Sequence, residues 1–431
     1  MDCFRIEGGT PLHGEVTLSG AKNAALPMMA ASLLARGTLT LRNVPRLRDI
    51  NTMAQVLRRL GVNVEWTEPN TMELEVTDES PTVAPYDLVR TMRASICVLG
   101  PLLARRGHAK VAMPGGCVIG PRPIQLHIKG LKALGAHVIV KHGDVIAKAE
   151  KLFGDEIYLG GPNGSTVLGT ANVMCAAVLA HGETVIENAA CEPEVAELAR
   201  LLVKMGAKIK GIGTKRLTID GVEELRGADF AVLPDRIEAG TFMAAAAVTQ
   251  GNVLIKGARL DHVGAVTDAM RQMGVDLIPR ARGLRVTGPK RLKSVDLTTG
   301  TYPGLSTDMQ AQMMALLTLA NGTSVITERI YPDRFMHIME MNRMSADIRK
   351  EGASAIVVGV EALSGAPVTA SDLRASAALV IAGLVAKGTT TISRVYHIDR
   401  GYERIEEKLI GLGAAITRME DPSQTAVGMY D

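Results

Sequence analysis

One unit is written six times along the 431 residues, and no other feature constrains the fold as strongly. Each copy opens with an uncharged helix rich in Ala, Met and Leu, at residues 24–35, 94–104, 170–180, 239–250, 309–321 and 375–386. A Gly-containing turn, a Thr/Val/Ile strand and a loop follow. A second helix then ends at Leu60-Gly61, Leu134-Gly135, Met205-Gly206, Met273-Gly274, Met344-Ser345 and Leu412-Gly413 in turn, and a final strand region closes the copy. The period is roughly 70 residues, longer than common solenoid repeats. A helix that is apolar on every face must be buried on every face. The second helices are amphipathic: residues 51–60 carry Arg58 and Arg59, and residues 194–205 set Glu194, Glu197, Arg200 and Lys204 among Val, Leu and Ala. They belong at the rim of a core. The strands alternate, as in Gly37-Thr38-Leu39-Thr40-Leu41-Arg42, which suits sheets with one wet face. Met336, Met339, Met341 and Met344, at near-helical spacing, read as core filler.

A chain of this length exceeds one ordinary core, so the six copies predict an α/β protein of two domains with three copies each. The midpoint falls near Leu233-Pro234-Asp235. Ahead of the first copy, residues 2–19 hold two unmatched strand-like stretches, Phe4-Arg5-Ile6 and Glu15-Val16-Thr17-Leu18. These must complete a sheet, with the far domain as the candidate. The expected domains are 20–232, and 1–19 with 233–431, with crossings near Gly20 and Leu233 that make a hinge.

Composition narrows the function. A net charge of +3 argues against nucleic-acid binding driven by charge, and 3% aromatics leave no base-stacking platform. Met1-Asp2-Cys3-Phe4-Arg5 lacks a signal-peptide pattern, and the most apolar stretches fall short of the ~20 residues of a membrane span. Cys3, Cys97, Cys117, Cys175 and Cys191 show no metal spacing and read as free thiols in a reducing cytosol. No P-loop, dinucleotide fingerprint, Gly-x-Ser-x-Gly elbow or His-Glu-x-x-His is present.

Two features point to chemistry. The stretch Met113-Pro114-Gly115-Gly116-Cys117-Val118-Ile119-Gly120-Pro121-Arg122-Pro123 excludes a regular element, so it is a shaped loop. A cation near its thiol favours the reactive thiolate, whereas an incidental surface Cys is the plain alternative. The starts of the uncharged helices, in turn, collect polar groups: Lys22 and Asn23; Arg90 and Arg93; Thr170 and Asn172; Asp235, Arg236 and Glu238; Asp308; Asp372 and Arg374. Helix N-termini favour anions, and Lys22, Arg93, Arg122 and Arg374 would strengthen such a site. Asp235, Asp308 and Asp372 also suit simple capping. His127, on the helix after the loop, reads as structural.

These residues carry a family resemblance. Ser19-Gly20-Ala21-Lys22-Asn23-Ala24-Ala25-Leu26-Pro27, Arg90-Thr91-Met92-Arg93-Ala94-Ser95, the Cys117 loop, Ser306-Thr307-Asp308-Met309-Gln310, Ser371-Asp372-Leu373-Arg374-Ala375 and His397-Ile398-Asp399-Arg400-Gly401-Tyr402 resemble, from end to end and in order, the UDP-N-acetylglucosamine enolpyruvyl transferases. The sister shikimate-phosphate enzymes share the fold but lack the cysteine loop. The resemblance implies an inside-out α/β barrel in each domain, built from three βαβαββ units, with substrate in the cleft. It implies transfer of enolpyruvyl from phosphoenolpyruvate to the 3′-hydroxyl of the amino sugar, through a tetrahedral ketal, as the first committed step of peptidoglycan synthesis in the cytoplasm. Implied roles are Cys117 as the acid toward the phosphoenolpyruvate methylene and Asp308 as the base for the sugar hydroxyl. Lys22, Arg122 and Arg400 are implied to hold phosphate and carboxylate, with Arg93 and Arg374 in support. Asp372 is implied to be a second carboxylate in proton handling, and Arg334 a closure contact. Asn23, Arg122, Pro123, Ile124, Gln125, Leu126 and Ile330 are implied to contact the sugar nucleotide. The partners implied are these two small molecules, without cofactor, metal, nucleic acid, membrane or obligate protein partner. The chain departs from the family pattern at Gln125, usually Asp, at residues 164–170, and at Tyr331-Pro332-Asp333-Arg334. A paralogue with altered sugar-nucleotide specificity and a non-catalytic sugar-nucleotide-binding regulator are the alternatives. The second has no use for an acid and a base.

Overall fold

The computed structural model describes residues 2–113, 115 and 124–421. They form two units of mixed helix and sheet: Gly20–Leu233, and Met1–Ser19 with Pro234–Asp431. Each unit has its own apolar core.

The uncharged stretches are helices, and they are enclosed. In the Gly20–Leu233 unit, Lys22–Ala31, Leu99–Arg106 and Val167–Ala177 pack among themselves with their short 3-10 extensions. In the other unit, Arg236–Val248, Gln310–Leu317 and Leu373–Gly383 do the same. Every residue of Gln310–Leu317 is buried, as an uncharged helix demands. Small residues permit the close approach: a Cβ on Gly100 would lie 2.1 Å from the Asn172 carbonyl oxygen. The second copy differs from its expected continuous helix. Arg93–Val98 is a 3-10 helix, and the α-helix begins only at Leu99. Pro101 explains this, because it lacks the N–H that a continuous helix needs at that position and its ring would meet the carbonyl of residue 97.

The second helices are Arg48–Arg59, Gln125–Ala133, Pro193–Lys204, Gly264–Gln272, His337–Arg343 and Ile405–Ile410. Past each end, one residue turns left-handed: Gly61, Gly135, Gly206, Gly274, Ser345 and Gly413 all have positive φ. The residue after that residue reaches back five positions in five copies, as in Ala207 N–H to the Leu202 carbonyl and Ala346 N–H to Met341. Ser345 (φ 68°) holds a conformation that costs a side-chain-bearing residue roughly 1–2 kcal/mol.

Six four-stranded sheets share one plan, a parallel pair followed by two antiparallel pairings. The N-terminal piece fills two gaps in that plan. Asp2–Glu7 lies between Thr389–Ser393 and Ala415–Glu420, antiparallel to both, with Phe4 opposite Ile392 and Arg418. That is the place a hairpin strand of the same copy takes in the other five. His13–Thr17 supplies the parallel edge beside Asn252–Lys256. In the other unit, Asp229–Ala231 pairs in parallel with Leu39–Arg42, so the end of the unit supplies the edge strand of its first sheet. Strands such as Ser354–Val358 alternate between buried and half-buried residues. No helix among the described residues is long and apolar enough to cross a membrane.

Candidate active site

In the Gly20–Leu233 unit, Lys22 is the first residue of an otherwise uncharged helix and is 7% exposed. Its ammonium donates to Asp49 Oδ2 at 3.1 Å, and Asp49, in the first turn of Arg48–Arg59, is equally buried. Two charges taken out of water are tolerated only as a pair, and such a pair is weak evidence of stabilisation. Asn23 stands beside it, half-buried. Arg93 opens the 3-10 turn and is half-buried. Ile124 is buried at the start of Gln125–Ala133, Gln125 is exposed and Leu126 half-buried. Cys117, Arg122 and Pro123 lie outside the described residues.

His127 is structural, as its sequence context suggests. Asn172 donates from Nδ2 to His127 Nδ1 (3.0 Å) and to the Ile96 carbonyl (2.8 Å), and its Oδ1 accepts from Gly100 N–H. One amide thus ties its own helix to three others. Asn172 and Thr170 sit inside Val167–Ala177 rather than ahead of it. Thr166 caps that helix, because the chain is already helical at Val167. Burial, with Arg93 nearby, pushes His127 down to about 3. The unfolded chain binds this proton near pH 6.5, so between about 6.5 and 3 the unfolded state carries more protons. Stability therefore falls as pH drops below about 6.5. The expected loss at pH 5 is about 2 kcal/mol from this residue. Urea unfolding at pH 7 and pH 5 measures it, and His127→Gln should flatten the slope between those pH values even where it lowers stability at both.

In the other unit the three helix-start acids separate. Asp235 caps Arg236–Val248 through the N–H groups of Ile237 and Glu238. Asp372 caps Leu373–Gly383 through those of Arg374 and Ala375. Asp308 lies inside its turn, whose cap is Ser306, and the Asp308 carboxylate faces two guanidinium groups. Arg334 Nη1 donates to Oδ1 at 2.9 Å, and Arg374 Nε donates to Oδ2 at 3.3 Å. Arg334 also lies 4.0 Å from Asp372. Both arginines are buried while the Asp308 side chain keeps 25% exposure, so the carboxylate is the part that solvent or a ligand reaches.

Arg374 stacks 5.1 Å from the centre of the Tyr402 ring. The Tyr402 hydroxyl is fixed by Thr241 (2.8 Å) and Gln312 (3.2 Å). Burial opposes the charge of Arg374, but Tyr402, Asp308 and Asp235 outweigh it and hold the guanidinium above its usual range. Buried His337 is pushed down to about 4 by desolvation and Arg334, against the pull of Asp372. Arg400 ends the 3-10 turn Val395–Arg400, and the Ile330 N–H donates to Glu328 at 2.8 Å.

Sequence reasoning missed Asp49, Glu328 and Tyr402 as groups holding this machinery. Asp49 reads as an ordinary first-turn acid. Tyr402 stood within a quoted motif, but only the fold brings it under Arg374. The four described cysteines are free, and burial raises every one of their thiols, Cys97 to about 12. None of those four is primed as a thiolate. Among the described residues no group of three His, Cys, Asp or Glu is placed to hold a metal.

Comparison with known proteins fits this geometry. Residues 6–409 match the family model of EPSP synthase (3-phosphoshikimate 1-carboxyvinyltransferase). Among solved structures, the enolpyruvyl transferase NikO from Streptomyces tendae superposes with a TM-score of 0.88 at 23% identity, covering 98% of this chain and 99% of that one. An EPSP synthase from Acinetobacter baumannii gives 0.75 at 20% identity, covering 97% and 100%. The fold is therefore that of the enolpyruvyl transferases. A protein of Thermodesulfovibrio yellowstonii named UDP-N-acetylglucosamine 1-carboxyvinyltransferase is 53% identical over 97% of this chain and all of its own length. One of the same name from Trichlorobacter lovleyi is 55% identical over 98% of this chain and all of its own. The chain belongs to the 1-carboxyvinyltransferase family, on the side of relatives that carry the UDP-N-acetylglucosamine name.

Proposed function

We propose that this chain transfers the enolpyruvyl group of phosphoenolpyruvate to the 3′-hydroxyl of UDP-N-acetylglucosamine and releases inorganic phosphate, the first committed step of peptidoglycan synthesis, in the cytoplasm. The observation that carries this is near-full-length identity above half with relatives of that name. The setting of Asp308 supports it: two buried arginines hold its carboxylate in a fixed orientation, as a positioned proton acceptor requires.

In the addition step the sugar oxygen bonds to C2 of phosphoenolpyruvate, its proton passes to Asp308, and C3 takes a proton from Cys117. In the elimination step C3 returns a proton to the Cys117 thiolate, the C2–O bond to phosphate breaks, and phosphate leaves with the electron pair. Lys22, Arg122 and Arg400 bind the phosphate and carboxylate, with Arg93 and Arg374 in support, where charge-assisted hydrogen bonds are strongest. Asp372, spent on capping through Oδ1, keeps Oδ2 for proton handling. Asn23, Pro123, Ile124, Gln125, Leu126 and Ile330 contact the sugar nucleotide, and Arg334 serves closure. The two compact units act as the two domains of the enzyme, each an inside-out α/β barrel.

The test is phosphate release. Purified protein should release phosphate from phosphoenolpyruvate only when UDP-N-acetylglucosamine is present, and release that is absent or indifferent to the sugar nucleotide rejects the proposal. A clear preference for another UDP-sugar in the same assay would favour the altered-specificity reading that the exposed Gln125 motivates.

A further inference from the structure

We infer that Glu328 is a positioning residue for the Asp308 carboxylate, acting through Thr307 and Arg334. It rests on the reading of Asp308 as the base. Glu328 directly follows the strand Thr323–Thr327 and is fully buried (0% exposed). Its Oε1 accepts from the Thr299 hydroxyl at 2.7 Å and from the N–H groups of Ile330 and Tyr331 at 2.8 and 3.0 Å. Its Oε2 accepts from the Thr307 hydroxyl at 2.9 Å. None of these donors is a cation. A buried carboxylate so placed is costly unless its acceptor sites are filled, and here both oxygens are.

The donors lie on three stretches that matter for Asp308. Thr299 follows an edge strand of the same sheet, and its hydroxyl also accepts from the Arg329 N–H. Residues 330–331 begin the turn that delivers Arg334. Thr307 immediately precedes Asp308 in the 3-10 turn Thr307–Met309. A hydroxyl has one hydrogen, and that of Thr307 goes to Glu328, so its lone pairs face outward. Arg334 Nη1 donates to that oxygen at 3.1 Å and to Asp308 Oδ1 at 2.9 Å. Glu328 thus sets the polarity of Thr307, Thr307 sets the place of Arg334, and Arg334 sets Asp308. Glu328 itself touches no reacting atom.

Glu328→Gln keeps the size of the side chain and turns one acceptor atom into a donor. If the new amide nitrogen faces Thr307, the hydroxyl hydrogen must turn away from Glu328's position, toward the side that Arg334 occupies. If it faces residues 330 and 331, it meets two N–H donors. Either way the Arg334–Asp308 contact shifts, and misplacement of this order lowers rate far more than binding. The experiment is steady-state kinetics across pH on Glu328→Gln, Thr307→Val, their double variant and Asp308→Asn. The expected result for each of the first two is a kcat lower by about tenfold to hundredfold, with KM for both substrates within about threefold. Loosening a cation from the base should also move the acid limb of the profile to higher pH. The double variant should be no slower than the worse single one. Parental kcat and profile in folded Glu328→Gln, with Asp308→Asn inactive, overturns the inference alone. So does a lower kcat with an unmoved profile and additive losses, which marks a merely structural role. Full activity in Asp308→Asn removes the reading of the base and the inference with it. Should Glu328→Gln fail to fold, Thr307→Val decides by the same criteria.

Discussion

Asp308→Asn should lower kcat by about a hundredfold to ten-thousandfold, the usual contribution of a positioned general base. The size of the effect follows from what surrounds the carboxylate. Arg334 and Arg374 donate to its two oxygens, so each oxygen is already oriented before any substrate arrives. An amide offers one oxygen and one NH2 group, which would then face a guanidinium donor. The variant loses the basic site and also disturbs the two cations that hold it. Arg374, buried to 1% exposure, also stacks on Tyr402, and this second contact should limit its displacement, so that phosphoenolpyruvate should still bind. Calorimetry checks binding, and rapid-quench single turnovers check the chemical step. Retention of kcat within threefold of the parent would remove Asp308 from proton transfer. The neighbouring acids give a built-in contrast. Asp235→Asn keeps an oxygen for the N–H groups of Ile237 and Glu238, as an Asn cap does, and should alter stability more than turnover.

The repeat was legible because its physics is local. An uncharged run long enough for three turns has one stable place, the interior, and the six helices lie there. The glycine after each amphipathic helix marks a left-handed residue, and Ser345 shows that the turn outlives the glycine. The unmatched N-terminal strands were equally readable, since strands without partners must find them. Asp2–Glu7 and His13–Thr17 complete sheets whose other strands lie more than 200 residues away. What the sequence hid was long-range pairing among polar groups. Asp235, Asp308 and Asp372 look alike as acids at helix starts, and only the fold shows that two are the caps of their helices while the third lies inside a turn capped by Ser306. Asp49 meets Lys22 across two helices 27 residues apart in the chain, and Glu328 reaches Thr307 across 21. No spacing rule links such pairs. Their carboxylates are ordinary in sequence and unusual only in being buried.

Cys117 should be the single thiol that a thiol-directed epoxide labels rapidly, with loss of turnover in step. The fold supplies this expectation by what it does to the other four. Cys3, Cys97 and Cys175 are buried, and Cys191 is partly buried with its thiol also raised. A thiol held up in this way has little thiolate at neutral pH, and thiolate is the nucleophile. Intact mass spectrometry should therefore show one adduct at full inactivation, and peptide mapping should place it at Cys117. Cys117→Ser should escape the adduct and turn over at least about a hundredfold more slowly, since a serine hydroxyl is a far weaker acid toward the methylene carbon. The label also tests the loop's role apart from catalysis. Phosphoenolpyruvate bound beside Cys117 should slow the reaction with the epoxide in the native protein and leave it unchanged in the unfolded one. An adduct on Cys191 in the native protein, or full activity in Cys117→Ser, would mean that the proton for C3 comes from another group. Asp372 would then be the first to examine, because its Oδ2 is not used in capping Leu373–Gly383.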